Sequence, residues 1–351
     1  DNNFIQALKE VQAELGLSNE QVLIKTNIGE DDSCYTAAAE LVDAGCNVIF
    51  ADSFGHESYI LQAAKEFPDV QFCHATGTQS RLANQANFHN AFASIYEGRY
   101  LAGVAAGMKL NEMIEQGKIT ADKAVMGYVG AFDYAEVVSG FTSFYLGAKS
   151  VCPSVTMKVT YTNSWFDIAL EREAALSLID AGCVLISQHA DSEGAPKACE
   201  EKGVPNIAYN IDTSSMGPNT AIISSKINWA PYFKLVINAV AKGETFATDW
   251  IGDISTGSVE LTKLNEKAAA AGTQAKLDEV KAKLESGEIK VFDTKTFTVD
   301  GKELTEYKAD VDGDFKPDTN VVENGEFEES NDKFRSAPYF DIKYIDGISA
   351  K

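Results

Sequence analysis

The side chains best suited to bind a ligand occur in short polar stretches that follow predicted strands. Trp165 and Phe166 lie at a strand-to-helix junction, where large aromatic side chains are unfavourable in water. Two explanations fit these residues equally well. Their rings either pack in the core or form a flat platform at the mouth of a cleft, with Phe54 as the opposing ring. Two such rings can hold a planar heterocycle by offset stacking. Asp191 can then accept hydrogen bonds from ring N–H or amino groups, because a desolvated carboxylate needs such partners.

The four histidines do not have the spacing of a metal site. His56, His74 and His189 fall at predicted strand ends, which is where clefts form in parallel sheets. Asp191 lies two residues from His189, so a metal pair is one alternative, but hydrogen bonding within or across a cleft is favoured. We therefore predict no metal and no other cofactor.

An acidic loop near the C-terminus contains Asp310, Asp312 and Asp314. An EF-hand counted from Asp310 needs glycine at its sixth position and glutamate at its twelfth, and these positions hold Phe315 and Val321. Because the pattern fails, a solvated acidic loop is favoured, with a looser calcium site as the alternative.

Composition and missing motifs exclude several classes of protein. The 351 residues include 52 acidic and 30 basic side chains, and the net charge is −22. A surface this acidic repels phosphate, so no nucleic-acid partner is expected. The six cysteines contain no C-x-x-C pair and are expected to be buried free thiols. No Walker loop, G-x-S-x-G or H-E-x-x-H motif occurs, and we predict that the protein is not an enzyme.

The elements that must position these side chains alternate between helices and strands. Helices are predicted at 4–15, 34–44, 58–67, 96–109, 135–148, 169–180, 195–202 and 268–284, and strands at 22–24, 47–51, 70–74, 124–129, 156–161, 184–187 and 206–209. This rhythm is typical of an α/β protein with parallel sheets that helices cover on both faces.

A repeated stretch indicates two similar halves. Residues 41–46 and 178–183 both contain a helix end, a glycine cap and a cysteine before an apolar strand. Duplication is favoured over chance similarity. Because ligands bind at the carboxyl ends of parallel strands, the loops after Phe50 and Ser187 are the predicted walls of a cleft between two lobes.

Seven short stretches carry a family resemblance. They are SFG at 53–55, AAKEFPDVQF at 63–72, HATG at 74–77, YEGRYLAG at 96–103, GYVG at 127–130, NSWFD at 163–167 and QHADS at 188–192. Together they resemble the basic membrane protein (Bmp/Med) family, whose members are substrate-binding lipoproteins of ABC importers. The resemblance covers about residues 1–290.

The resemblance implies a type I periplasmic-binding-protein fold, in which two doubly wound α/β lobes are joined by three crossovers at a hinge. It divides the chain into lobe 1 at 1–122 and 227–252, lobe 2 at 123–226 and 253–290, and a β-rich C-terminal extension at 291–351. The extension is expected to stand apart from the βα rhythm, with short strands at 290–292, 296–299 and 340–345.

The resemblance also implies a ligand site. Members of the family bind purine bases or nucleosides, and this chain is similar to the branch that holds adenine. The implied ligand-binding residues are Phe54, Trp165, Asp191, His189, Asn210 and Ser53. Two positions depart from the family, since Ile5 replaces a frequent ligand-contacting asparagine and Asn210 replaces an aspartate that holds ribose hydroxyls. The second change favours a free base or a different nucleoside pose.

We therefore expect an extracytoplasmic receptor that binds a purine base or nucleoside, adenine-like by preference, and delivers it to an ABC permease. The family's first strand and lipidated cysteine precede the D-x-x-F segment that begins here at Asp1. We expect membrane attachment only through a lipid anchor outside this chain. A receptor for another solute such as a sugar is the main alternative. A nucleoside hydrolase acting through Asp191, and a sensor or adhesin whose tail contacts a partner, are further alternatives.

Overall fold

The computed structural model describes the backbone of residues 2–351 and the side chains of residues 3–351. Asp1, where the D-x-x-F segment begins, lies outside the described residues. The helices are α1 (Asn2–Leu15), α2 (Asp32–Asp43), α3 (Glu57–Glu66), α4 (Ile95–Glu115), α5 (Ala135–Val151), α6 (Ile168–Asp180), α7 (Gly194–Lys202), α8 (Ala230–Lys242) and α9 (Thr273–Glu285).

The strands lie mostly between these helices, as the predicted βα rhythm requires. They are β1 (Val48–Ala51), β2 (Gln71–Ala75), β3 (Phe88–Ala93), β4 (Val125–Gly130), β5 (Thr156–Tyr161), β6 (Leu185–Gln188), β7 (Asn206–Tyr209), β8 (Ala221–Ile227), β9 (Asp249–Gly252), β10 (Val259–Leu261), β11 (Lys308–Ala309), β12 (Thr319–Asn320), β13 (Val322–Glu323), β14 (Glu326–Phe327) and β15 (Ile348–Ala350).

Two sheets confirm the α/β architecture with parallel strands. The first has the order β1-β2-β3-β9 and is parallel throughout. The second has the order β10-β8-β7-β6-β4-β5-β15, and β10 pairs antiparallel with β8. Lobe 1 is used below for the first sheet with α1, α2, α3 and α8, and lobe 2 for the second sheet with α4, α5, α6, α7 and α9.

Helix α4 corrects the predicted boundary of lobe 1 at residue 122. It packs closely against α5, because Gly103 and Gly147 let the two backbones meet. A Cβ at Gly103 would lie 2.0 Å from the Phe144 carbonyl oxygen, and one at Gly147 would lie 2.0 Å from the Tyr100 carbonyl oxygen. The chain therefore passes from lobe 1 to lobe 2 between β3 and α4, at Ser94. It crosses again between β8 and α8, and between β9 and β10.

The strand predicted at 22–24 is wrong. These residues form no helix or strand, and the side chains of Leu23 and Ile24 are 43% and 42% exposed. A short apolar run becomes a strand only when a neighbouring strand pairs with it. Among the described residues, no strand pairs with 22–24 or with the outer edge of β1.

The C-terminal extension is less separate and less strand-rich than predicted. Its last strand, β15, joins the sheet of lobe 2, where Ile348 pairs in parallel with Met157. The strands predicted at 290–292, 296–299 and 340–345 do not form, and the remaining strands of the extension have two residues each. Loops instead pack around stacked rings, with the centroids of Phe292 and Phe340 4.6 Å apart. Such packing has no period of two for a strand prediction to detect.

The described helices α1–α9 are between 9 and 21 residues long. None of them combines the length and the apolar character that a membrane-spanning helix needs.

Candidate functional site

A cleft of about 430 Å³ lies between the lobes, at the carboxyl ends of their parallel strands. Loops after six strands form most of its walls. The lining residues at the strand ends, in these loops or at the start of the next helix are Asp52, Ser53, Phe54, Thr76, Thr78, Asp133, Tyr134, Ala135, Glu136, Trp165, His189, Asp191, Tyr209 and Asn210. Its volume is within the usual range for small-molecule sites, about 300–1,000 Å³.

All six residues predicted to bind a ligand line this one cleft. Ser53 and Phe54 follow β1 in lobe 1, whereas Trp165 follows β5 in lobe 2. The other three residues are His189, Asp191 and Asn210, which follow β6 and β7. The structure therefore brings together residues that are up to 157 positions apart, because parallel strands end at the same edge of a sheet.

Aromatic rings run across the cleft mouth from one lobe to the other. The Phe54 ring is 5.4 Å from Tyr134, centroid to centroid, and Tyr134 stacks on Phe132 at 5.2 Å. Phe132 in turn meets Trp165 edge-on at 5.0 Å. Phe54 and Trp165 were predicted to face each other across the cleft. In the structure they are linked through Tyr134, whose ring contacts both of them. The signal in the sequence for Tyr134 is its position between β4 and α5, next to the start of that helix.

A buried arginine fixes the polar end of the lobe 2 wall. Arg99, from α4, is 1% exposed, and its Nη2 donates to His189 Nδ1 at 3.0 Å. Because an arginine always donates, His189 Nδ1 is the acceptor and its Nε2 carries the hydrogen. His189 Nε2 then donates to Glu136, 2.9 and 2.8 Å from the two carboxylate oxygens. The guanidinium carbon of Arg99 also lies 3.6 Å from the centroid of the Tyr209 ring.

The protonation states of this chain of contacts follow from burial and charge. Burial lowers the pKa of His189, and the adjacent Arg99 charge acts in the same direction, so the imidazole is neutral. Burial alone would raise the pKa of Glu136, but His189 and Arg99 outweigh it, and the pKa lies below its ordinary value. Glu136 therefore presents an ionised, acceptor-only group to the cleft. Sequence reasoning missed both Glu136 and Arg99, which resemble an ordinary helix N-terminal acid and a core helix residue.

Asp191 offers a second acceptor in the same wall. Its backbone N–H donates to the Trp165 carbonyl oxygen at 2.9 Å, which joins the two predicted site loops. The side chain is exposed to the water of the cleft, yet the surrounding walls exclude bulk solvent and raise the pKa of Asp191 to about 7. The negative charges of Glu136 and Glu171 act in the same direction. Asp191 therefore changes charge near neutral pH.

Asn210 and Ser53 have their hydrogen bonds partly committed to the protein. Asn210 adopts a left-handed backbone conformation, with φ of 63°, and its Oδ1 accepts from Asn3 Nδ2 at 3.1 Å. The Ser53 hydroxyl donates to Glu30 Oε1 at 2.6 Å, and the Ser53 carbonyl oxygen lies 2.7 Å from His74 Nε2. Burial lowers the pKa of His74 to about 4, so this histidine is neutral and holds the loop after β1.

Charges in the cleft are strongly unequal. Five carboxylates line it, those of Asp52, Asp133, Glu136, Asp191 and Asp341. Among the described lining residues, Arg335 is the only arginine or lysine, and it belongs to the C-terminal extension. This surface repels anions and favours neutral or cationic ligands that have hydrogen-bond donors.

The acidic loop of the extension was the candidate calcium site. Carboxylate oxygens of Asp310, Asp312 and Asp314 lie within 4.8 Å of one another. Protein groups already contact them, since Asp310 accepts from the backbone N–H groups of Gly313 and Phe315 at 2.8 and 3.1 Å. These contacts are typical of a solvated acidic turn.

Comparison with known proteins identifies the family. The family of PnrA-like ABC transporter substrate-binding proteins matches residues 2–295. The chain belongs to this family. Its fold is similar to that of two solved structures, the solute-binding proteins from Aeropyrum pernix and Conexibacter woesei. The match to the Aeropyrum pernix protein has a TM-score of 0.68 at 18% identity, and it covers 83% of this chain and 88% of that protein. The match to the Conexibacter woesei protein has a TM-score of 0.65 at 21% identity, and it covers 82% of this chain and 92% of that protein.

Two relatives have names that describe different ligands. A purine-binding protein of Brucella abortus is 33% identical over 85% of this chain and 80% of its own length. A Haloferax volcanii protein, named as an ABC transporter glucose-binding protein, is 36% identical over 60% of this chain and 50% of its own length. Members of the family bind substrates for ABC transporters, and such substrate-binding proteins work outside the cytoplasm.

Proposed function

We propose that this substrate-binding protein captures a purine base or nucleoside in the cleft, adenine-like by preference, and delivers it to an ABC permease. The observation that carries the proposal is the pairing of an aromatic row with ionised acceptors in one cleft. Rings stack on a planar heterocycle, while carboxylates accept from its N–H and amino groups. The similarity to the Brucella abortus protein over most of both chains supports the same ligand class.

Glu136 and Asp191 give the proposal its chemical detail. Both are acceptors when ionised, and both line the cleft together with Trp165 in the wall of lobe 2. An exocyclic amino group and a ring N–H on one edge of a purine would satisfy two such acceptors. Phosphorylated ligands would be rejected, because five carboxylates line the cleft. The ligand is therefore a base or nucleoside and not a nucleotide.

Calorimetric titration tests the ligand class. We expect micromolar or tighter binding of at least one compound among adenine, guanine, hypoxanthine and their nucleosides, and no binding of the matching nucleotide. Mass spectrometry of whatever co-purifies with the protein identifies a natural ligand independently. Absence of binding across all six purines would overturn the proposal, and release of free base from a nucleoside would indicate a hydrolase instead.

A sugar is the second candidate ligand, because the Haloferax volcanii relative is named for glucose. Aromatic rings also stack on pyranose faces, and carboxylates accept from sugar hydroxyls. A thermal-shift screen that sets purines against monosaccharides separates the two classes, since a bound ligand raises the unfolding temperature by mass action. We expect purines to give the larger shifts, and a shift only with sugars would replace the first proposal by the second.

Attachment to the membrane through a lipid anchor upstream of this chain belongs to the same proposal. The family resemblance supports it. Fractionation of cells that express the complete gene tests it, with the protein expected in the membrane fraction and released by detergent.

A further inference from the structure

One wall of the cleft comes from the C-terminal extension. Arg335, Ala337, Pro338 and Asp341 line the cleft together with the loops of the two lobes. The family match ends at residue 295, so this wall lies outside the matched range. Residues 335–341 are called the third wall below.

Buried hydrogen bonds attach the third wall to lobe 1. The Ser336 hydroxyl donates to Asp249 Oδ1 at 2.5 Å, and the Ser336 backbone N–H donates to Asp249 Oδ2 at 3.0 Å. Asn90 Nδ2 donates to the Ser336 hydroxyl oxygen at 3.0 Å. Ser336 is 1% exposed and Asn90 is not exposed at all, so these bonds are shielded from competing water.

The same segment is attached to lobe 2. Lys343, just after the third wall, forms an ion pair with Asp133 at the cleft mouth. Further along, the Tyr145 hydroxyl donates to the Asp346 carbonyl oxygen at 3.3 Å, and β15 pairs with β5. The third wall is therefore held from both sides and has a defined position relative to the cleft.

Arg335 is the residue of this wall that has a charged hydrogen-bond donor. It is 8% exposed, and its Nε and Nη2 each donate at 3.1 Å, to the carbonyl oxygens of Ala337 and Pro338. Its Nη1 lies 3.5 Å from Asp310 Oδ2. A guanidinium has five N–H donors in a planar fork, so these contacts orient it without exhausting its donors.

Arg335 also supplies a charged donor, which the described lining residues of the two lobes do not. Glu136 and Asp191 accept hydrogen bonds from ligand donors, whereas a purine also has ring nitrogens that only accept. Those nitrogens need a donor when they leave water, and an unpaired buried acceptor is unfavourable. Arg335 is a strong donor with a fixed position at the edge of the cleft.

We propose that Arg335 donates a hydrogen bond to one acceptor atom of the bound ligand and thereby sets which purines bind tightly. The inference rests on the proposed purine-binding function and deepens it, because it assigns ligand recognition to a segment outside the matched family range. Arg335 is a specificity-determining residue in this assignment, and the two lobes alone do not complete the site.

The test compares Arg335→Met with Arg172→Met, a matched control at a surface arginine that pairs with Glu201. Dissociation constants are measured for adenosine and for three analogues in which N1, N3 or N7 is replaced by C–H. With the unchanged protein, we expect one analogue to bind at least tenfold more weakly than adenosine. With Arg335→Met, adenosine should weaken at least tenfold and the difference between adenosine and that analogue should disappear. Arg172→Met should behave like the unchanged protein.

Other outcomes separate this inference from the proposed function. If Arg335 only organises the loop, Arg335→Met will weaken adenosine and all three analogues by the same factor, which overturns the inference and leaves purine binding intact. Thermal unfolding without ligand, with Arg335→Lys included, measures any loss of fold. If the unchanged protein binds no purine, the proposed function fails and this inference fails with it.

Discussion

The two copies of the internal repeat end in strands with different surroundings. In lobe 2, β6 lies between β4 and β7 and all four of its residues are buried. In lobe 1, β1 is at the edge of its sheet, and only Ile49 of its four residues is buried. An apolar groove of about 730 Å³ lies beside β1, between the strand and residues 22–28. The two similar sequences therefore form strands that are buried to different extents, because the burial of a strand depends on the strands beside it.

The loops that follow the two strands differ in the same way. After β6, His189 is 2% exposed and contacts Arg99 and Glu136 through both ring nitrogens. After β1, Phe54 is 41% exposed, and its neighbour Ser53 bonds to an exposed residue, Glu30. Ligand-binding energy should therefore come more from the wall of lobe 2 than from the wall of lobe 1.

The largest expected effect is on stability, at the centres of the two strands. Ile186→Ala should lower the free energy of unfolding by about 4 kcal/mol, because its fully buried site cannot collapse around the cavity. Ile49→Ala should lower it by about 2 kcal/mol, because its edge strand can relax. Urea unfolding of both variants measures the difference. Equal losses would contradict the view that β1 is the looser strand.

Ligand affinity should separate the two aromatic walls. Trp165→Ala should weaken purine binding by at least about 1 kcal/mol, the scale of a lost ring contact, and Phe54→Ala should weaken it less. Phe166→Ala is the matched control, because its ring is 62% exposed and does not line the cleft. Calorimetry measures all three, and an unchanged affinity for Trp165→Ala would remove this residue from the site.

The pH dependence of binding should expose the role of Asp191. With a pKa of about 7, this carboxylate is mostly ionised at pH 7.5 and mostly protonated at pH 6.5. If the ionised form accepts a hydrogen bond from the ligand, ligand affinity should be about threefold weaker at pH 6.5 than at pH 7.5. Without ligand the sign is opposite, since a raised carboxyl pKa favours the folded protein at lower pH. Asp191→Asn should remove the pH dependence of ligand affinity. If the affinity of this variant still changed with pH, a group other than Asp191 would be responsible.

The smallest effect should come from Ser53. Its hydroxyl donates to Glu30, so Ser53→Ala should change ligand affinity less than about threefold, the scale of one hydrogen bond near water. The control is Ser58→Ala, an exposed position on α3. A loss of tenfold or more for Ser53→Ala would show that the lobe 1 loop contributes as much as the lobe 2 wall.

Much of the fold could be predicted because it depends on local patterns. The helix from 4 to 15 and the strand from 206 to 209 appear close to their predicted bounds, since apolar spacing and glycine caps are local signals. The strand at 22–24 failed because strand formation needs a partner. Helix α4 was predicted from its apolar pattern, but the lobe to which it belongs was not. Gly103 indicates that another element packs closely against α4, but the sequence does not show which element that is.

The site was predictable to the same degree. Trp165, His189 and Asp191 could be placed at the cleft from the sequence, because they lie in motif-like stretches shortly after strands. Arg99 lies in such a stretch as well, but inside a predicted helix, and no motif includes Arg335. In both cases the local sequence does not show that a buried cation lies near a cleft.

Residue order was sufficient to specify the α/β rhythm, the repeat and the loops that meet at the carboxyl ends of the strands, because these follow from short-range spacing. Three-dimensional packing was needed to place α4 in lobe 2, to bring Arg99 to His189 and to fold the extension back so that Arg335 reaches the cleft. These long-range contacts join residues with no fixed spacing along the chain, so they depend on how complete surfaces fit together.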